Sequence, residues 1–337
     1  MRMRRSGELR GAPARVDRPD LVVWGLGTIG RAVLDLVATR NPRRRFTAIT
    51  RHPDKAAGLP ANVSVSGLDA LADNRSPVLV CVSVDEAAVV REHLRDGGVA
   101  VARSIVAERN RALLGARLRP EHWRDRPVLM VTNPVESIAA HLVDITGAST
   151  VFGAGMQVDA ERCRAVLAAG WDVRLAEDEL PVTGLHGVAP IPVLSAVSGL
   201  AATVERIPWQ TACARLAAAA PGLAWVREPA RLAGVLAQAP DPQSPHGRVG
   251  LAASALMAGE FEGTRPPGRR GIAPITSLVE CWLDGGRALV SGRCAWQGAE
   301  VFVGGCADLP DGRFVLPPMD EVEQTLMSRQ LASQRET

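Results

Sequence analysis

Leu21-Val22-Val23-Trp24-Gly25-Leu26-Gly27-Thr28-Ile29-Gly30 is the stretch that decides the fold of this chain. The four apolar residues read as a short buried strand, and the glycines follow as a Gly-x-Gly-x-x-Gly turn. Arg31 to Asn41 then repeats Val33, Leu34 and Val37 at helical spacing until Pro42 stops it. Strand, turn and helix together open a βαβ unit. In such a unit the first glycine permits the tight turn, the second lets a pyrophosphate approach the backbone, and the third lets helix and strand pack closely. Amides at the helix N-terminus face the anion. Gly25, Gly27, Thr28, Ile29 and Gly30 are therefore the candidates for holding a dinucleotide.

Working outward, Phe46 to Thr50 reads as a second strand, Val63 to Val65 and Val78 to Val82 as further buried strands, and Val128 to Val131 as another before Thr132-Asn133-Pro134. Apolar strands alternating with amphipathic helices predict a parallel sheet covered on both faces. Residues 1–18 are polar, Arg-rich and without period, so a disordered extension is expected there. After residue 150 the helical patterns lengthen, Arg287 to Gly292 and Val301 to Gly305 read as antiparallel strands, and Glu321 to Ala332 as a closing helix. The expected fold is α/β: a Rossmann-type doubly wound parallel sheet over residues 19–150, followed by an α+β substrate domain over residues 151–337.

Composition removes whole chemistries. The chain has 337 residues, no tyrosine, and 39 basic residues among which Lys55 is the sole lysine. A tyrosine acid paired with a lysine is impossible, and a Schiff base or P-loop would hang on Lys55 alone. Lys55 sits in His52-Pro53-Asp54-Lys55-Ala56 with no glycine-rich loop before it, and reads as a solvated surface residue. The six cysteines form no CxxC pair, so reduced thiols are expected, with neither a disulfide frame nor a metal site. No apolar run reaches the length of a membrane span and the N-terminus lacks the apolar region of a signal peptide, which predicts a cytoplasmic protein. A net charge of +3 with 4% aromatic residues argues against a nucleic-acid partner.

A site for NAD usually places Asp or Glu at the end of the second strand to bind ribose hydroxyls. Here that position reads Thr50-Arg51-His52. A small residue followed by a cation suits a ribose 2′-phosphate, because Arg forms charge-assisted paired hydrogen bonds. NADP(H) is favoured over NAD(H), with Thr50, Arg51 and His52 as the discriminating residues.

Three further segments then fall into register. Val131-Thr132-Asn133-Pro134-Val135-Glu136 comes first. Val151-Phe152-Gly153-Ala154-Gly155 and Asp159-Ala160-Glu161-Arg162-Cys163-Arg164 follow, and then Gly184-Leu185-His186-Gly187 with Pro192-Val193-Leu194-Ser195. In order and spacing they resemble the lactate/malate dehydrogenase family, over about residues 20–330. The resemblance implies that His186 is the proton donor to a 2-oxo group and Asp159 its partner carboxylate. It also implies that Arg162 grips the substrate carboxylate through a planar two-bond fork and that Asn133 lies near the substrate carbonyl. Arg103 and Arg109 are similar in spacing to two arginines of the family's mobile loop. There the first reads a distal carboxylate and the second polarises the carbonyl, so together they imply a dicarboxylic, malate-like substrate.

Departures surround the pocket. Ile105-Val106 stand where the family's loop carries Pro-Gly, segment 85–99 is extra and reads as a helix ending at Gly97-Gly98, and Val188 replaces an acidic residue. The expected activity is an NAD(P)-dependent 2-hydroxy acid dehydrogenase acting on a small molecule, as a homodimer or homotetramer by resemblance. Reduction of an imine or unusual carbonyl, and a non-catalytic dinucleotide-binding protein, are the alternatives.

Overall fold

The computed structural model describes residues 18–73, 75–187, 190–219, 243–262, 269–309 and 312–335. The expected extension at residues 1–18 and the Pro-rich segments around residues 240–245 and 266–267 fall largely outside them.

The strands β1 (Leu21–Trp24), β2 (Phe46–Ile49), β3 (Val63–Ser66), β4 (Val78–Val80), β5 (Val128–Met130) and β6 (Val151–Gly153) pair in parallel in the order β3-β2-β1-β4-β5-β6. The register sets Leu21 beside Phe46 and Val22 beside Val78. Strands β1, β2, β4 and β5 are buried along their whole length, because helices cover both faces; this is why they read as continuous apolar runs. The expectation of a buried strand at Val63 fails: β3 ends the sheet, and Val65 is 46% exposed. Its Val-Ser-Val-Ser alternation fits an edge strand better than a core strand.

Helix α1 (Thr28–Arg40) buries Val33, Leu34 and Val37. It starts at Thr28 directly after Gly27, three residues ahead of the apolar repeat. The short α2 (Ala70–Asp73) and α4 (Val135–Thr146) lie on the connections to β4 and β6, and α3 spans Glu86–Gly115. Segment 85–99 therefore does not end at Gly97-Gly98: the helix runs through both glycines.

Beyond β6 the sheet continues antiparallel. Strands β9 (Arg287–Trp296) and β10 (Ala299–Asp308) form the expected hairpin, β11 (Phe314–Val315) extends it, and β9 joins β6 at Gly153 and Ser291. These nine strands thus form one mostly parallel sheet. Helices α5 (Met156–Trp171), α6 (Leu200–Arg206), α7 (Trp209–Ala219) and α8 (Pro245–Glu262) build a second apolar core. It gathers Met156, Cys163, Leu167, Trp171, Val204, Leu216 and Val249; each large side chain so buried contributes roughly 1.5–3 kcal/mol. Helix α9 (Arg269–Asp284) packs Leu278 and Trp282 into the core that also holds Leu34 and Val37.

A two-residue ladder, β7 (Val182–Thr183) with β8 (Ile191–Pro192), closes off the loop carrying His186. The last helix, α10 (Glu321–Arg335), is pinned behind it by Glu323. That fully buried carboxylate accepts from the Ser195 amide and hydroxyl and the Asp320 amide, with His246 Nε2 at 3.0 Å. His246, Asp320 and Glu323 are close enough to suggest a metal, but Glu323 is saturated by these bonds and acts as a clamp. No helix among the described residues is long and apolar enough to cross a membrane.

Candidate active site

The parallel strands present their carboxyl ends to one edge of the sheet, where open α/β sheets bind ligands. A pocket of about 290 Å³ lies there, lined by the ends of β1, β2 and β4: Gly25 to Gly27, Ile49 to His52, and Cys81 to Ser83, with Lys55 and Arg117. Gly25 has φ +105°, and a Cβ on it would lie 2.8 Å from the Cys81 carbonyl carbon, so neither its conformation nor its surroundings admit a side chain. Around Gly27, by contrast, a Cβ would meet nothing within 4 Å. The turn therefore presses into the sheet at Gly25 and leaves open space at Gly27, the cradle a pyrophosphate needs. The residues present fit a dinucleotide.

Four basic residues line this pocket and no carboxylate does. Thr50 turns the strand end by accepting from the His52 amide at 3.1 Å, and Arg51 and His52 stand exposed beside it. Among the described residues the Arg51 side chain has no hydrogen-bond or ion-pair partner. Lys55 is exposed, as its sequence context predicts, yet it borders the pocket; Arg31 holds its loop by donating to the carbonyls of Lys55 and Ala57. Burial pushes the Cys81 thiol up to about 12, so it stays neutral against the glycine turn.

At the far end of the same edge, β6 leads through Gly155 into α5. Asp159 and Arg162, spaced i and i+3, share one face of that helix. Arg162 Nη1 donates to Asp159 Oδ1 at 3.1 Å, and both side chains are buried. His186 meets the same carboxylate from the β7–β8 loop: its Nδ1 lies 2.8 Å from Asp159 Oδ2, and the Gly187 amide donates to that oxygen at 3.0 Å. Burial alone would raise the Asp159 carboxyl, but the charge and hydrogen bond of His186, the Arg162 charge and the Gly187 amide outweigh it and hold the carboxyl below its usual range. An ionised Asp159 can only accept, so the contact holds an N–H on His186 Nδ1 and orients the ring. The other nitrogen, Nε2, has no partner among the described residues.

The imidazole is also fixed from below. Gly155 has φ +128°, and a Cβ there would sit 2.6 Å from His186 Cγ. Gly155→Ala is therefore expected to displace the ring from Asp159 and to cut turnover at least about tenfold, with the dinucleotide dissociation constant little changed. Steady-state kinetics beside a cofactor titration checks it.

Sequence reasoning missed two supports. Glu136, buried on α4, accepts from the His186 amide at 3.0 Å and the Ser291 hydroxyl at 2.6 Å, tying the loop to the hairpin. Asn110, fully buried, donates to the Asn133 carbonyl at 2.6 Å. Neither lies in a motif with chemical character of its own; Glu136 was visible only as the end of Asn133-Pro134-Val135-Glu136.

Asn133 follows β5 and donates from Nδ2 to Glu86 at 2.9 Å. The expected mobile loop is helix here. Arg103 and Arg109 both lie in α3, since the Ala-, Val- and Ile-containing run around them holds no Pro-Gly to break it. Arg103 is half-buried and donates to the His186 carbonyl at 2.8 Å, so it reaches the site. Arg109 is exposed and has no hydrogen-bond or ion-pair partner among the described residues. Val188 lies outside those residues.

No protein-family profile matches the chain. Among curated proteins it is similar to an L-lactate dehydrogenase A of Hordeum vulgare, 28% identical over 190 residues, and to an L-lactate dehydrogenase of Zea mays, 29% identical over 191 residues; each match covers 52% of this chain and 51% of the relative. The chain thus spans about half the length of the curated relatives it matches. Among solved structures, malate dehydrogenase from Plasmodium falciparum superposes with a TM-score of 0.62 at 14% identity, over 95% of this chain and 97% of the other. A Cryptosporidium parvum lactate dehydrogenase complexed with lactic acid and nicotinamide adenine dinucleotide gives 0.58 at 16% identity, over 95% and 97%. At such identities the structural likeness concerns the fold alone.

Proposed function

We propose that the chain is a divergent member of the lactate/malate dehydrogenase family and a nicotinamide-dependent oxidoreductase interconverting a 2-oxo acid and its 2-hydroxy acid. The convergence of Arg162 and His186 on the buried Asp159 carboxylate carries this reading. When bound, the dinucleotide supplies or accepts the hydride at the substrate's second carbon. His186 delivers a proton from Nε2 to the developing alkoxide, and takes it back in the reverse direction. Asp159 keeps the ring oriented and stabilises its charged form during the transfer. Arg162, oriented by its bond to Asp159, is assigned the substrate carboxylate and so sets which face of the carbonyl meets the hydride.

The glycine turn and pocket support Gly25, Gly27, Thr28, Ile29 and Gly30 as the cofactor cradle. Arg51, Lys55 and Arg117 in a lining without a carboxylate support NADP(H) over NAD(H), because a buried or half-buried acid would repel a 2′-phosphate and Arg51 can fork onto it. Arg51→Ala is expected to weaken NADPH binding about tenfold, corresponding to one charge-assisted hydrogen-bonded contact, while leaving NADH binding near its wild-type value. Fluorescence titrations with both cofactors measure this; an unchanged NADPH-to-NADH ratio removes Arg51 from the site. For the reaction itself, NADPH consumption is followed across a panel of 2-oxo acids. Saturable turnover of at least one is the expected result, and none across the panel with cofactor bound overturns the proposal.

A further inference from the structure

We infer that Glu86, paired with Asn133, makes the substrate pocket a receptor for a protonated nitrogen, an ammonium or iminium N–H, on a carboxylate-bearing substrate. This rests on the dehydrogenase reading and narrows its substrate class.

Along the carboxyl edge of the sheet, the dinucleotide pocket runs from Thr50 at β2 past Gly25 at β1 to Ser83 at β4. Asn133 follows at β5, and Gly155 with His186 at β6. Glu86 and Asn133 therefore stand between the cofactor pocket and the proton-transferring histidine. Glu86 is placed there by the first turn of α3, whose N-cap Asp85 accepts from the Ala88 amide. Asn110 fixes both sides at once: its Oδ1 accepts from the Val84 amide at 2.8 Å, two residues before Glu86, and its Nδ2 donates to the Asn133 carbonyl.

The Asn133 amide has only one orientation open to it. A carboxylate accepts and does not donate, so the contact at 2.9 Å to Glu86 must come from Nδ2. Asn133 Oδ1 is then left buried with no hydrogen-bond partner. The second oxygen of Glu86 likewise has no donor among the described residues. Two acceptors and one negative charge side by side call for a donor that carries positive charge. The same charge repels a second carboxylate brought to this end of the pocket, which counts against the dicarboxylic substrate that Arg103 and Arg109 implied. A ketone or alcohol with an uncharged side chain would leave both acceptors unpaired, and sites built to bond an N–H group discriminate strongly against analogues without one.

The test uses the full chain loaded with NADPH or NADP+ and matched 2-oxo acids of equal length, one ending in ammonium and the other in methyl, together with a cyclic imine carboxylic acid. Both dissociation constants and kcat/KM are measured. Wild type is expected to favour a nitrogen-bearing probe at least about tenfold, and Glu86→Gln to abolish that preference while keeping the fold by circular dichroism; Glu86→Asp is expected to restore part of it. A preference unaltered by Glu86→Gln, or no binding of any nitrogen-bearing probe, overturns the inference. So does a Glu86→Gln effect confined to NADPH affinity, which would assign the pair to the cofactor's carboxamide. Glu86-dependent binding of the nitrogen-bearing probes without turnover would sink the dehydrogenase reading and leave this one standing. Turnover of the methyl-ended acid at least as efficient as that of every nitrogen-bearing probe would do the reverse.

Discussion

His186→Ala is expected to lower kcat by roughly 10²- to 10⁴-fold, the range that a positioned general acid supplies, while the NADPH dissociation constant stays close to that of wild type. The separation follows from distance along the sheet edge. The pocket lined by Gly25 to Gly27 and Thr50 to His52 does not include His186, so truncating the imidazole leaves every residue of that lining in place. The side chain is mostly buried but is not central to either apolar core, and the backbone bond from the His186 amide to Glu136 remains. Single-turnover kinetics with a cofactor titration on the same preparation decides the matter. Turnover retained at the wild-type rate would remove His186 from the chemistry.

Asp159→Asn is expected to be nearly as severe, with a loss on the order of 10³-fold in kcat, because the variant changes which nitrogen of His186 carries the proton. Asp159 accepts three hydrogen bonds at once, from His186, Gly187 and Arg162. An amide offers one oxygen for them and turns an N–H₂ toward at least one donor. It also breaks the buried ion pair that Arg162 makes with this carboxylate, and breaking such a pair typically costs about 3–5 kcal/mol. Arg162 is 7% exposed, so a substantial part of that cost should appear in the unfolding free energy.

The pH dependence separates this from a packing defect. The native carboxyl of Asp159 lies below its unfolded value, about 3.9. Its contribution is complete above that pH and is lost as pH falls through the lower native value. The stability gap between wild type and Asp159→Asn should therefore be constant from about pH 5 upward and narrow below about pH 4. Urea unfolding at several pH values measures it. A gap that does not narrow in acid would mean that charge is not what Asp159 contributes.

The parallel βαβ half of the fold was legible because its signals are local. Strand β1, the glycine turn and α1 are adjacent in sequence, and their apolar periods report burial directly. The edge strand was misjudged for the same reason: Val63-Ser64-Val65-Ser66 carries two valines, and a short window cannot show that Val63 is only partly covered and Val65 is exposed. The extent of α3 was also missed, since Gly97-Gly98 reads as a break until the rest of the chain holds the helix on both sides of it.

Asp159, Arg162 and His186 were found through order and spacing, and the i, i+3 pair on one helix was readable without a fold. Their meeting was not. His186 lies beyond α5 in sequence, and only the β7–β8 ladder and the bond to Glu136 bring its ring onto Asp159. The partners of Asn133 depend even more on folding, because Glu86 comes from a different strand end, and a lone Glu at a helix start is ordinary first-turn chemistry. The same holds for Arg103 and Arg109, which spacing treats alike and the fold divides into one that touches the His186 loop and one facing water. By itself the sequence determined the βαβ beginning, the absence of tyrosine and near-absence of lysine, and the residue types available for proton transfer, since these follow from local pattern and composition. The tertiary structure alone decided which acceptors remain unpaired and which cations face the pocket, because those properties depend on contacts between residues far apart in the chain.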